Sequence, residues 1–203
     1  MPNTQFSPSI DSRPVYPGLT PHGASPAIMV ADAEGAAALR ELAARDASVM
    51  DRAQVVLAAG GAAGLAEARA LQALQPKGVS HEPDLAAALP LLRRLLAEAR
   101  MGTRLYLAGS EGLIGQVSAL ALDAGLPADA IESEHRGPIA RRMQCVHCKG
   151  ITEGVTTDPF TCSHCGLTLF VRDHFSRRLG VFQGVCVDAE TPGIIPEPQE
   201  IRP

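Results

Sequence analysis

Ala27-Ile-Met-Val-Ala31 is an apolar run of strand length, and residues 33–45, rich in Ala, Leu, Glu and Arg, follow it at helical spacing. Asp32 stands between them, placed to cap that helix. The same alternation continues down the chain. Val55-Val-Leu-Ala-Ala59 reads as a second strand, separated by Gly60, Gly61 and Gly64 from a helix over residues 65–74. Residues 84–100 read as a longer helix opened by Glu82-Pro83-Asp84. A strand over 103–108, a helix over 112–124 and a brief strand over 130–134 complete the series. Apolar runs alternating with helices predict an α/β lobe over residues 27–135, a parallel sheet covered on both faces with right-handed crossovers.

Composition changes on either side of this lobe. Residues 1–26 are rich in proline and small polar residues and read as an extended arm. Residues 136–142 are basic, contain Gly137 and Pro138, and read as a linker into a cysteine module ending near residue 185; residues 186–203 form a proline-rich acidic tail. Residues 1–135 hold 10 Lys/Arg against 15 Asp/Glu, residues 136–180 hold 7 against 3, and the last 23 residues hold 1 against 4. An acidic body thus carries a basic patch, which can steer an acidic partner. At 46% hydrophobic and 20% charged, the chain is globular rather than disordered. No stretch reaches the roughly 18 apolar residues of a membrane span, and residues 1–14 lack the pattern of a secretory leader. Two Tyr, five Phe and no Trp offer few platforms for stacked bases, so a nucleic-acid partner is not expected.

Four of the five cysteines form two pairs, Cys145-Val-His-Cys148 and Cys162-Ser-His-Cys165, with 13 residues between them. Two Cys-x-x-Cys turns can each offer two thiolates to one ion and close a tetrahedral site. Clustered cysteines without an export leader argue against a disulfide framework. Four thiolates leave no obvious position for a reacting water, which argues against a catalytic zinc. Structural zinc and a one-electron iron centre both remain open. His147 and His164 precede the second cysteine of each pair; with the shell complete, they point outward or donate to a neighbour. Gly166 supplies the unhindered backbone a thiolate knuckle needs. Cys186 reads as a small buried hydrophobe. A module this small cannot bury a sufficient core, so the ion supplies folding energy on the order of 10 kcal/mol.

Other candidates are weaker. Gly60-Gly61-Ala-Ala-Gly64 could cradle a phosphate at a helix start, or simply make a tight βα turn. Gly109 and Ser110, after a strand and before a helix, are candidates of the same kind, whereas Asp32 and Glu34 place two carboxylates where a phosphate would need to sit. Arg172, His174, Phe175, Arg177, Arg178 and Phe182 read either as a solvated basic face over two core phenylalanines or as a docking surface with exposed aromatic anchors.

Leu105-Tyr-Leu, Ala108-Gly-Ser-Glu-Gly-Leu-Ile114 and the segment Ala124-Gly-Leu-Pro through Ile131-Glu-Ser-Glu134 together resemble the nicotinamide lobe of the ferredoxin–NADP reductase family. Ala108 stands where that family contributes Cys, no Pro follows, and the flavin motif Arg-x-Tyr-Ser/Thr is missing. The resemblance implies a reductase lobe without its flavin partner. The lobe, the four cysteines and the run Arg172-Asp-His-Phe-Ser-Arg-Arg178 together resemble the small-subunit family of dimethylamine monooxygenase (the DmmA type). That resemblance implies a cytoplasmic complex that uses O2 and NADPH to oxidise dimethylamine to methylamine and formaldehyde. Haem, flavin and iron–sulfur centres would lie on companion subunits, and this chain would serve as a metal-binding accessory part. A rubredoxin-like carrier and a zinc-ribbon adaptor for nucleic acid are the alternatives.

Overall fold

A computed structural model describes residues 13–189 and 193–201 of the chain. Strands β1 (Ala27–Ala31), β2 (Ala53–Ala58), β3 (Gly78–Glu82), β4 (Arg104–Gly109) and β5 (Ile131–His135) pair in parallel, in the order β3-β2-β1-β4-β5. Helices α1 (Ala36–Arg45), α2 (Gly61–Gln72), α3 (Leu85–Ala97) and α4 (Glu111–Asp123) alternate with them. The two-residue period of the strands sorts the core into layers. Met29, Ala31, Val55, Leu57 and Tyr106 meet Leu39, Leu42 and Leu71 of α1 and α2 on one face. On the other, Ile28, Val30, Val56, Leu105 and Leu107 meet Leu92, Leu113 and Val117 of α3 and α4. The sheet is therefore the doubly covered parallel sheet that the apolar runs predict.

Strand β3 is an addition to the sequence reading. Its residues, Gly-Val-Ser-His-Glu, hold one large aliphatic side chain and are only half buried at the sheet edge, so no apolar run announces it. Asp84 caps α3 as expected, accepting from the Ala87 amide at 2.8 Å. Asp32 does not cap α1: Gly35 occupies that position, and the Asp32 carboxylate bridges two loops instead.

Of the described residues 13–26, Tyr16 to His22 lie along the outer strand β5; the part of the predicted arm before residue 13 falls outside the described residues. The Gly18 amide donates to the Ser133 carbonyl at 3.1 Å, and His22 meets Glu132 at 2.8 Å. Leu19 is buried, its amide donating to Glu134 and its carbonyl accepting from Arg45. This covers a strand edge that would otherwise be open to pairing.

A second sheet follows, in the order β7-β6-β11-β10-β9: β6 (Arg141–Cys145), β7 (Ile151–Val155), β9 (Phe160–Thr161), β10 (Thr168–Ser176) and β11 (Val181–Cys186). Short strands β8 (Thr157–Asp158) and β12 (Gln199–Glu200) pair beside it. Met143, Val155, Phe160, Leu169 and Phe182 form its core. Arg141 and Arg142, read as the end of a linker, open β6. The two bodies touch backbone to backbone: a Cβ built on Gly180, in the turn from β10 to β11, would stand 2.2 Å from the Gly115 carbonyl oxygen of α4.

Candidate metal centre

Two matching turns bring the four cysteines together. In the first, at the end of β6, the Cys145 amide donates to the Gly150 carbonyl at 2.9 Å and the Lys149 amide to the Cys145 carbonyl at 3.0 Å. In the second, before β10, Cys162 donates to Leu167 at 2.9 Å and Gly166 to Cys162 at 3.0 Å. Equivalent residues make equivalent bonds, so each turn presents its two sulfurs in the same way. Lys149 and Gly166 both take the left-handed backbone conformation that closes such a turn, at φ 63° and 73°.

All four Sγ atoms lie within 4.8 Å of one another. Cys145 and Cys165 sulfurs are 3.8 Å apart, those of Cys148 and Cys162 3.7 Å. Tetrahedral bonds of ~2.3 Å to a central ion would space sulfurs by about 3.8 Å, so the cage fits a zinc or iron ion. The separations far exceed a disulfide bond of ~2.05 Å. Cys145 and Cys162 are buried, Cys165 is half-buried and Cys148 faces solvent.

Charge points to the same conclusion. Burial pushes the Cys162 thiol up, but the amides of Cys165 and His164 aimed at its sulfur, with the neighbouring thiols, bring it down to about 6. For Cys165 the Leu167 amide acts to lower the thiol, while burial and the three surrounding sulfurs raise it to about 12. Packed thiolates repel one another, and a cation at the centre removes that repulsion.

His164 is not a fifth ligand. Its Nε2 donates to the Ile151 carbonyl at 2.9 Å, and its ring lies where a Cβ on Gly150 would stand, 2.5 Å away. The imidazole of one turn thereby fastens the hairpin of the other. His147 is exposed, and Cys186 is half-buried rather than fully enclosed.

Among the glycine candidates, Gly64 serves close packing. A Cβ on Gly64 would stand 1.9 Å from the Ala59 carbonyl oxygen, so α2 can lie against β2 only with glycine there. Gly60 precedes α2, and Gly61 takes a φ of 72°. Ser110 caps α4, its Oγ accepting from the Leu113 amide at 3.4 Å. Its own amide donates to Asp32 Oδ2 at 2.8 Å, and Gly109 lies against the same carboxylate.

Among the docking candidates, Arg172, His174, Arg177 and Arg178 are exposed. Phe175 is half-buried against Phe182, with ring centroids 4.9 Å apart. Of the two readings left open for Phe182 the core one holds, and its place as an exposed docking anchor does not: it is 2% exposed, beneath the Arg141 guanidinium at 4.4 Å. The basic face stands on two packed phenylalanines, not on two exposed ones. The sequence reading also missed Arg141 itself, which pairs with Glu111 and Asp173. One signal was present, because Arg141-x-Met143-x-Cys145 places the arginine in an inward slot of a period-two strand.

Residues 8–131 match the N-terminal domain described as dimethylamine monooxygenase subunit DmmA-like, and residues 142–185, which contain all four cage cysteines, match the corresponding C-terminal domain. The chain belongs to the DmmA-like family. This DmmA-like chain is 41% identical over 110 residues to a protein of Ectopseudomonas mendocina (strain ymp) named heme-dependent oxidative N-demethylase delta subunit. The match covers 54% of this chain and 63% of that relative, just under two thirds of its length. Among the described residues, no helix of this DmmA-like protein is long and apolar enough to cross a membrane.

Proposed function

We propose that this chain is a metal-stapled accessory subunit of a multicomponent, haem-dependent amine demethylase. The overall reaction converts dimethylamine, O2, NADPH and a proton to methylamine, formaldehyde, NADP+ and water. Haem, flavin and iron–sulfur centres belong to companion subunits, and this chain contributes to assembly in the cytoplasm. The observation that carries the reading is the closed four-sulfur cage, which leaves no position for a reactant. The name of the delta-subunit relative supports the setting. Zinc held by Cys145, Cys148, Cys162 and Cys165 would fix the second sheet. The exposed arginines Arg172, Arg177 and Arg178, with His174 and Phe175 beside them, then form the docking face for an acidic surface on a companion.

Co-expression with the companion subunits tests this. The double substitution Arg177→Glu, Arg178→Glu should reduce co-purification and leave the melting temperature of the isolated chain unchanged. Undiminished co-purification overturns the docking face.

A second reading has one observation in its favour. Cys148 is exposed and Cys165 half-buried, so one edge of the cage faces solvent, as a one-electron iron carrier requires. Elemental analysis with a visible spectrum decides between them: a coloured, reducible iron centre replaces the structural reading.

A further inference from the structure

We propose that Asp32 is a built-in substitute for a nucleotide phosphate, so that the α/β lobe takes no dinucleotide at the crevice where its fold would place one. This goes beyond the accessory role and stands independently of it. Open parallel sheets take ligands outside the carboxyl ends of their strands, at the point where strand order reverses. In the order β3-β2-β1-β4-β5 that point lies between β1 and β4. Helices α1 and α4 leave it on opposite faces of the sheet, and their first amides are the donors a phosphate would need.

Both donors are taken. The Gly35 amide at the start of α1 donates to Asp32 Oδ1 at 2.9 Å, and the Ser110 amide at the start of α4 donates to Oδ2 at 2.8 Å. One carboxylate bridges the amino ends of two helices, where their dipoles favour negative charge. Little space remains around it. A Cβ on Gly109 would stand 2.2 Å from Oδ1 and 2.4 Å from Oδ2, and one on Gly35 would stand 2.0 Å from the Ala108 carbonyl oxygen. The crossing to the second sheet passes over the same place. The Arg136 amide donates to the Gly109 carbonyl at 2.9 Å, and a Cβ on Gly137 would lie 3.2 Å from the Glu34 side chain. A phosphate would have to displace a tethered carboxylate and settle near the Glu34 side chain, against intramolecular binding at high effective concentration.

The test follows the Gly35 and Ser110 amide resonances of the full chain during titration with NADPH and with inorganic phosphate. In the unaltered protein neither resonance shifts saturably. Asp32→Ala melts at a lower temperature, and inorganic phosphate both raises that temperature and shifts the two amides. If the alanine variant does not fold, Asp32→Asn, which keeps one acceptor oxygen, undergoes the same phosphate titration. Saturable shifts at Gly35 and Ser110 in the unaltered protein overturn the proposal. So does a folded Asp32 variant as indifferent to phosphate as the parent.

Discussion

Arg141 Nε lies 3.2 Å from Glu111 Oε2, and both side chains are buried, 2% and 7% exposed. The pair joins the first turn of α4 to the first residue of β6, so it spans the two sheets. Arg141 also reaches Asp173 at 2.9 Å and stacks over Phe182. Removing one partner of a buried pair leaves the other charged and unsolvated. Arg141→Ala should therefore cost about 3–5 kcal/mol. Glu111→Gln, which keeps an acceptor oxygen, should cost less. Urea denaturation of both variants measures the difference; equal losses would contradict this view of the joint.

Tyr16 packs beside the same pair. Burial raises its phenol well above the ordinary tyrosine value of about 10, and the charge of Glu111 and a hydrogen bond to it raise it further. Burial likewise raises Tyr106, the other tyrosine of the chain. Because the neutral phenol is the form the fold favours, this stabilisation is complete below pH ~10 and is lost as pH climbs towards the folded values. Phenolate absorbance near 295 nm should thus stay low in the folded protein at pH about 10 and rise when urea is added at that pH. Phenolate already present in the folded state at that pH would be the contrary result.

Loss of a cage ligand should act mainly on one sheet. Cys162→Ser, or removal of the ion by a chelator, takes away folding energy on the order of 10 kcal/mol. Hydrogen exchange should quicken throughout β6, β7, β10 and β11 and at the start of α4, while β1 and β2 keep their protection. Equal acceleration in all of these strands would count against a separately stapled sheet.

Gly180 has φ 64°, and any Cβ there meets the Gly115 carbonyl oxygen at 2.2 Å. Gly180→Ala combines backbone strain with overpacking and should cost about 2–4 kcal/mol. Thermal unfolding reads the loss directly. Gly125→Ala, also at positive φ (89°) but with open space around it, should cost less.

Much of the first sheet is legible because its strands are buried on both faces. All five residues of β1 are buried, and such runs cannot be hidden by polar alternation. The polar edge strand β3 lacks that signal and was missed. The cage was legible for a different reason: tetrathiolate chemistry needs one residue type at fixed spacing, whatever the surrounding fold. Arg141 reads from sequence as part of a linker, and Phe182 stays open between core and surface. An arginine in a segment with a glycine and a proline looks solvated, and a phenylalanine near three arginines looks exposed, until the pairing of β6 with β11 places one over the other. Asp32 reads as a helix cap from sequence because one of its partners, Ser110, lies 78 residues away.

The contact of Gly115 with Gly180 bears on protein engineering. Because two glycines meet backbone to backbone at that seam, a chimaera that grafts a cysteine module from one relative onto the lobe of another needs more there than matching hydrophobic shapes. It would succeed or fail on whether both donors bring a bare methylene to the junction, and on whether the inherited glutamate finds its arginine.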